Sequence, residues 1–217
     1  MHCVVTAGPT IESLDLVRRL TNHSTGTLGS QLANSLVARG HQVTLLLSET
    51  ASYAGAQHSQ RIIRFSSTED LSERLAILSA KKIGAVFHAA AVSDFRFGNI
   101  WIEKKNGKRT QLTGGKLSTS EGQLMAELIP TRKIISNLRS IFPTSILVGW
   151  KYEVEGSRSN AISLARNQIL AHSTDYCVAN GSAYGNGYGI LSATELMKCS
   201  DKKSLFAKLE RLLLKRN

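Results

Sequence analysis

The chain has 217 residues, of which 42% are hydrophobic and 20% are charged, and its formal net charge at pH 7 is +11. This length suits a single domain over residues 1–217, and the composition excludes disordered and fibrous classes. No run of about 18 uninterrupted apolar residues occurs and no secretory signal opens the chain, so we expect no membrane span and no membrane partner.

Cysteine and histidine usage gives no sign of a metal site. Cys3, Cys177 and Cys199 are widely separated and form no Cys-x-x-Cys pair, and the six histidines are dispersed. We therefore predict no disulfide framework, no metal-ligating residues and a cytoplasmic location. The basic residues are scattered without an RNA-binding aromatic motif, so nucleic acid is not the expected partner.

Short apolar strands alternate with helical patterns along the chain. The first strand, residues 3–7, ends at Gly8, and the first helix, residues 27–39, is followed by Gly40 as its C-terminal cap. Further strands are predicted at 42–47, 61–65, 85–89, 146–149 and 175–179, and further helices at 67–80, 131–141 and 159–172. This alternation predicts an α/β fold with a doubly wound, mostly parallel, Rossmann-like sheet.

Two segments interrupt this alternation. Residues 100–112 carry Asn106-Gly107 between two strand-like runs, which predicts an inserted β-hairpin arm at about residues 100–113. A lone two-stranded arm is marginally stable in water, so we expect it to pack on another surface such as a second subunit. Residues 180–189 contain four glycines and predict a loop that either closes a site or connects strands.

Polar loops follow several predicted strands. They cover residues 6–10, 89–96, 148–153 and 178–181, and they would meet at one edge of a parallel sheet. A further loop, residues 21–31, contains Gly26 and Gly29, where backbone N–H groups at a helix start would point at an anion. Together these loops predict a crevice of nucleotide size.

These stretches resemble, in the same order, the phosphopantothenoylcysteine synthetase family. Residues 6–10, 17–18, 21–29, 89–94, 116–131, 148–153 and 178–180 carry the likeness. The resemblance implies a ligase that activates the carboxylate of 4'-phosphopantothenate with CTP or ATP and Mg²⁺, releases pyrophosphate and joins the acyl group to L-cysteine. Many bacterial relatives carry an N-terminal flavin-dependent decarboxylase domain. Because the first strand starts at residue 3, we expect neither that domain nor FMN.

The resemblance also implies roles for individual residues. Asn22 would bind the acyl-nucleotide and Lys116 would steady the phosphates, although on the residues alone these are an ordinary turn residue and a solvated lysine. Small side chains at Ala90 and Ala91 would let backbone N–H groups approach the substrate. The nucleotide-binding residues would be Gly8, Ser24, Gly26, Gly29, Asp94, Trp150 and Asn180.

One departure from the family concerns charge. Bacterial relatives carry two lysines four residues apart in the helix before the last core strand, where this chain has Gln168 and His172. This difference weakens the argument for CTP, which we still place slightly ahead of ATP. The hairpin arm corresponds to the family's dimerisation arm, which implies a homodimer.

Two other functions remain open at the level of sequence. The first strand, loop and helix resemble the start of an NAD(P)-binding Rossmann oxidoreductase, although no ribose selector other than Glu49 and no Tyr-x-x-x-Lys pair accompanies them. The net charge would also suit a non-catalytic module that binds nucleotide or nucleic acid.

Overall fold

The structure is a computed structural model that describes residues 1–104, 107–112 and 122–214. The five helices within this part of the chain are α1 (Thr27–Ala38), α2 (Thr68–Leu78), α3 (Leu138–Ile141), α4 (Arg158–His172) and α5 (Lys202–Leu214). Its strands are β1 (His2–Ala7), β2 (Ile11–Ser13), β3 (Arg19–Thr21), β4 (Gln42–Ser48), β5 (Arg61–Phe65), β6 (Ala85–His88), β7 (Phe95–Glu103), β8 (Arg109–Gln111), β9 (Gln123–Pro130), β10 (Ile146–Tyr152), β11 (Tyr176–Asn180), β12 (Tyr188–Leu191) and β13 (Leu196–Cys199).

The main sheet confirms the predicted architecture. Its eight strands run in the order β13-β12-β11-β10-β6-β1-β4-β5, and all pairs from β11 to β5 are parallel. β1 lies in the middle, and both Val4 and Val5 are fully buried because helices cover both faces of the sheet. Strands with continuous apolar runs fit this doubly covered position.

Each face of the sheet has its own hydrophobic core. On one face α1 and α5 pack together through side chains such as Leu32, Leu36, Leu205 and Leu209. On the other face α2 and α3 bury Leu71, Leu75 and Leu138. A Cβ atom at Gly29 would lie 2.6 Å from Ala7 Cβ, so glycine allows the start of α1 to lie against the end of β1.

The predicted hairpin is present but belongs to a larger unit. Trp101 pairs with Gln111 and Glu103 with Arg109, as expected for two antiparallel arms. The turn has Gly107 at φ 77°, while residues 105–106 lie outside the described residues. β9 pairs with β7 over most of its length and makes a three-stranded sheet, which corrects the expectation of a two-stranded arm. The third strand supplies the partner that a lone hairpin lacks.

Other boundaries also differ from the sequence prediction. The expected helix at 131–141 is a 3₁₀ turn, Ile134–Asn137, followed by the single turn of α3. Pairs β2–β3 and β12–β13 and helix α5 were not predicted. In the part of the chain that the structure describes, no helix is both long and apolar enough to cross a bilayer.

Candidate active site

An open cleft of about 1060 Å³ lies at the carboxyl ends of the parallel strands. Loops after β1, β3, β4, β6 and β9 and the last residues of β10 and β11 contribute its walls, as expected for ligand sites in doubly wound sheets. Its lining includes nine of the sequence-predicted residues, which are Asn22, Ser24, Gly26, Gly29, Ala90, Ala91, Asp94, Trp150 and Asn180.

The remaining two predicted residues are placed differently. Gly8 is absent from the lining and lies behind the cleft wall, where its Cα would be 3.4 Å from a Cβ added at Gly26. A Cβ at Gly8 itself would lie 2.7 Å from Ser48 Cβ, and its φ is 89°, so glycine is required there for packing. Lys116 lies outside the described residues.

The start of α1 forms one wall of the cleft. Gly26 adopts the left-handed conformation at φ 74° immediately before the helix and offers no side chain as a cap, and of the first-turn N–H groups Thr25 Oγ1 accepts only that of Thr27, at 3.3 Å. Thr27, Leu28 and Gly29 line the cleft with their first-turn backbone. The Leu28 and Gly29 N–H groups, which have no hydrogen-bond partner among the described residues, and the positive end of the helix dipole favour an anion such as a phosphate at this wall.

Asn22 joins two of the loops that line the cleft. Its Nδ2 donates a hydrogen bond to the Val92 carbonyl oxygen at 3.0 Å, across 70 residues of sequence. The carboxamide is thereby fixed between the end of β3 and the loop after β6. This tether orients the carboxamide to which the family resemblance gives the role of binding the acyl-nucleotide.

The loop after β6 corrects one sequence expectation. The Ala90 N–H donates to Thr6 Oγ1 at 3.1 Å, and the Ala91 N–H donates to the Gly8 carbonyl oxygen at 3.0 Å. Both N–H groups are therefore used inside the protein and do not face a ligand as expected. What Ala90 and Ala91 provide to the cleft is the absence of a bulky side chain.

A buried histidine at the end of β6 also lines the cleft. His88 is 6% exposed, and its Nδ1 lies 3.0 Å from Thr6 Oγ1, on the neighbouring strand β1. Burial lowers the pKa of His88 to about 4, because the charged imidazolium loses its hydration there. The ring is therefore neutral at pH 7.

Two buried polar atoms in the lining have no hydrogen-bond partner among the described residues. They are Trp150 Nε1, a donor, and Asn180 Oδ1, an acceptor. Buried polar atoms are normally satisfied, so an unpaired donor and acceptor beside a cleft indicate a ligand with complementary groups. A heteroaromatic base carries both kinds of group.

The electrostatic balance of the described lining is positive. Lys133, Lys151, Arg132 and Lys202 contribute to it, and Asp94 is its one carboxylate. Lys151 Nζ lies 2.9 Å from Glu153 Oε1, whereas Lys202 Nζ donates to the neutral Gln31 Oε1 at 3.1 Å. Cations from different elements therefore surround the same space, which favours an anionic ligand.

Gln168 and His172 lie on α4 and line the cleft, but neither adds a full positive charge at pH 7. Gln168 Nε2 donates to Cys177 Sγ at 3.3 Å. The pKa of His172 is lowered by partial burial and by the nearby charge of Lys133, so its ring is mainly neutral at pH 7. This side of the cleft is polar and nearly uncharged.

Several cleft residues escaped the sequence reasoning. Lys133 and Lys202 lie in segments without a recognisable motif, and their approach depends on the packing of α5 and of the turn after β9. His88 carried a usable signal, because a titratable residue at the end of an otherwise apolar strand is uncommon.

Comparisons with known proteins agree with this geometry. The sequence-family model of the DNA/pantothenate metabolism flavoprotein C-terminal domain matches residues 1–212 of this chain. The coenzyme A biosynthesis bifunctional protein CoaBC of Thermococcus kodakarensis is 35% identical over 178 residues, which is 82% of this chain and 40% of the relative. The chain thus spans less than half the length of this relative and of the CoaBC protein of Bacillus subtilis.

Two solved structures share the fold. The DNA/pantothenate metabolism flavoprotein from Streptococcus pneumoniae has a TM-score of 0.87 and 24% identity, with all of both chains covered. A mutant of Cab2, solved as a complex with phosphopantothenate-cysteine, has a TM-score of 0.72 and 17% identity, covering 99% of this chain and 85% of that one.

The fold and the cleft define a Rossmann-like α/β domain with a polar, positively charged site at the carboxyl edge of its sheet. With the match over residues 1–212, the chain belongs to the family of the DNA/pantothenate metabolism flavoprotein C-terminal domain.

Proposed function

We propose that this chain is a phosphopantothenate-cysteine ligase of coenzyme A biosynthesis. The observation that carries the proposal is the meeting of Asn22, the start of α1, Asp94, Trp150 and Asn180 in one basic cleft. The names of the CoaBC relatives and the ligand of the Cab2 complex support this substrate class.

The reaction proceeds in two steps that this cleft suits. First, a carboxylate oxygen of 4'-phosphopantothenate attacks the α-phosphorus of the nucleotide, and the bond to the leaving pyrophosphate breaks. Then the amino group of L-cysteine attacks the acyl carbon, the nucleoside monophosphate leaves, and the amine loses a proton. The first step brings two anions together, so positioning and charge neutralisation contribute more to it than a strong base would.

Different residues of the cleft contribute to different parts of this reaction. Asn22 donates to the acyl oxygen as charge develops on it, and its tether to Val92 keeps the carboxamide in place. The Leu28 and Gly29 N–H groups at the start of α1 bind a phosphate, with Ser24 beside them. Lys116 adds a further cation in the activation step, as the family resemblance implies.

The base and the phosphate tail have separate partners. Trp150 Nε1 and Asn180 Oδ1 are an unpaired donor and acceptor that suit a nucleobase. Lys133 and Lys202 supply positive charge in place of the family's lysine pair on α4. We keep CTP ahead of ATP as the nucleotide.

Mg²⁺ fits this site as a companion of the triphosphate. The described residues contain no cluster of three histidine, cysteine or carboxylate side chains that could hold a metal ion. Mg²⁺ bound to a nucleotide needs only one or two protein carboxylates, and Asp94 is available in the lining. When bound, Mg²⁺ neutralises phosphate charge, and Asp94 would be the residue that holds it.

We further propose that the protein is a cytoplasmic homodimer that associates through the three-stranded sheet β7–β9. Phe95 and Leu128 on this sheet are 44% and 50% exposed, which is consistent with an interface there. All three cysteines are free, which fits a reducing compartment.

Pyrophosphate release tests the ligase proposal. The purified protein is incubated with 4'-phosphopantothenate, L-cysteine and Mg²⁺, with CTP and ATP offered separately. Release is expected to require 4'-phosphopantothenate and to fall at least about 100-fold in Asn22→Ala, because a donor to the developing charge is lost. Asn160→Ala, an exposed position on α4, is the matched control and should retain activity.

Lys116→Ala is a second variant whose loss of activity would support the resemblance. Folded wild-type protein that releases no pyrophosphate with either nucleotide would overturn the proposal. Tight NADPH binding without pyrophosphate release would instead favour the oxidoreductase.

A further inference from the structure

The hydrogen bonds around Thr6 determine which nitrogen of His88 carries the proton. The Ala90 N–H donates to Thr6 Oγ1, so this oxygen already accepts one bond. The same hydroxyl has one other neighbour within hydrogen-bond distance in the described part of the chain, His88 Nδ1 at 3.0 Å. Thr6 is fully buried, so its own proton has no access to water.

These contacts favour one tautomer. If Nδ1 carried the proton, the Thr6 hydroxyl hydrogen would be buried without an acceptor, at the cost of an unmade hydrogen bond. If Thr6 donates to Nδ1, the Thr6 hydroxyl, the Ala90 N–H and Nδ1 are all satisfied. The neutral ring then carries its proton on Nε2. Neutrality agrees with the low pKa of His88, which burial sets at about 4.

The other side of the ring faces ligand space. His88 lines the cleft, and its Nε2 has no hydrogen-bond partner among the described residues. On the adjacent strand the register places Gly149 beside His88, because Val148 pairs with Phe87. Glycine there leaves room that Gln168 Nε2 fills, since a Cβ at Gly149 would lie 2.4 Å from that atom.

We propose that His88 is a ligand-binding residue of the cleft, which Thr6 fixes as an Nε2–H donor to a carboxylate or carbonyl oxygen of a bound substrate. This proposal rests on the proposed function for the identity of the substrates. The acceptor belongs either to 4'-phosphopantothenate, which has a carboxylate and amide carbonyls, or to the carbonyl of the CTP base. An imidazole that is neutral and tautomerically fixed selects an oxygen acceptor without adding charge.

Two variants distinguish the role of His88 Nδ1 from that of His88 Nε2. His88→Asn retains a polar oxygen that can accept from Thr6 but lacks a group that reaches the Nε2 position. His88→Gln places an amide N–H near the Nε2 position. We expect His88→Asn to weaken binding of one of the two probes about three- to tenfold, and His88→Gln to restore most of it. Melting temperature identifies any variant that fails to fold.

Nitrogen NMR tests the tautomer without any ligand. In protein labelled with ¹⁵N at histidine, the His88 ring should show a protonated Nε2 and an unprotonated Nδ1 at pH 7. Addition of 4'-phosphopantothenate or of CTP should shift the Nε2 signal, and the probe that does so identifies the partner. Thr6→Val is the matched control for the hydrogen bond between Thr6 and His88 Nδ1. Without that bond, the His88 ring should populate a second tautomer.

Each result decides a separate point. A ring protonated on Nδ1 would overturn the assignment, and an Nε2 signal that neither probe shifts would overturn the binding role. Equal affinity of wild type and His88→Asn for both probes would also overturn it, even if wild-type protein releases pyrophosphate. Shifted Nε2 and weakened binding without pyrophosphate release would support His88 and reject the ligase activity.

Discussion

Arg139 and Asp175 join three elements of the fold through one carboxylate oxygen. Arg139 Nη2 donates to Asp175 Oδ2 at 2.8 Å, and the Leu147 N–H donates to the same oxygen at 2.7 Å. Arg139 also donates to the carbonyl oxygens of Ser145 and Ser173 at 2.9 and 3.0 Å. The guanidinium thus links α3 to the start of β10 and to the end of α4.

Arg139→Ala should therefore lower the free energy of unfolding by about 2 kcal/mol, since it removes the donor to the Ser145 and Ser173 carbonyl oxygens and the cationic partner of Asp175. Arg139→Lys should recover only part of this loss, because an ammonium group lacks the guanidinium's planar set of donors. Urea unfolding measures both variants. Equal stability of wild type and Arg139→Ala would show that water replaces these bonds at no cost.

The buried His88 predicts a pH dependence of stability. The unfolded chain binds a proton on this ring below its ordinary pKa of 6.5, whereas the folded protein does so only near pH 4. The stability that comes from the neutral ring is thus fully present above pH 6.5 and is lost as the pH falls from 6.5 to about 4. The loss amounts to about 3 kcal/mol.

The difference in stability between wild type and His88→Asn isolates this effect from that of the other histidines. Urea unfolding of both proteins at several pH values between 4 and 7.5 measures it. Wild type should lose stability relative to the variant as the pH falls. A difference that does not change with pH would contradict the buried neutral ring.

Lys202 allows a test of the proposal that cations outside α4 bind the nucleotide in place of the family's lysine pair. Lys202→Ala should weaken CTP binding about three- to tenfold, with a smaller salt dependence, because one cation at the cleft is removed. Lys203→Ala is the matched control, since it removes the same charge from the next residue of α5, outside the cleft lining. Calorimetric titration at two salt concentrations measures both. If the two variants weaken CTP binding equally, binding depends on the net charge of the protein and not on the position of Lys202 in the cleft.

The proposed dimer predicts a change of mass in solution. Leu128→Asp should shift the protein towards a species near the 23.6 kDa chain mass, because a charge in an apolar interface is poorly solvated. Ile77→Asp, at an aliphatic position of α2 that is 72% exposed, is the control and should leave the assembly unchanged. Sedimentation at low micromolar concentration measures both. Wild type that sediments only as the monomer would reject the dimer.

The parallel core was predictable from sequence because its signals are local. Strands such as β1 and β4 are largely apolar segments followed by turn residues, and Ser67 caps α2 by accepting the Asp70 N–H. The antiparallel additions were not predictable in this way. β9 is mostly exposed and lacks a clear alternation, so its pairing with β7 depends on contact rather than on pattern.

The same distinction between local signals and long-range contacts applies to the candidate site. Residues in glycine-containing loops were found because their spacing carries information, as for Gly26 and Gly29. Hydrogen bonds between distant residues were not visible in sequence. The use of the Ala90 N–H by Thr6, 84 positions away, reverses the role expected for that group.

The order of the strands has a consequence for synthesis on the ribosome. β1 precedes the other strands of the main sheet along the chain and pairs on both sides, so the edge that β6 covers stays open until that strand emerges about 80 residues later. The lining of the cleft includes Asn22, which follows β3, and Lys202, which begins α5. A nascent chain can therefore form its early helices and strands in sequence, but it acquires the complete binding cleft only after α5 has been synthesised.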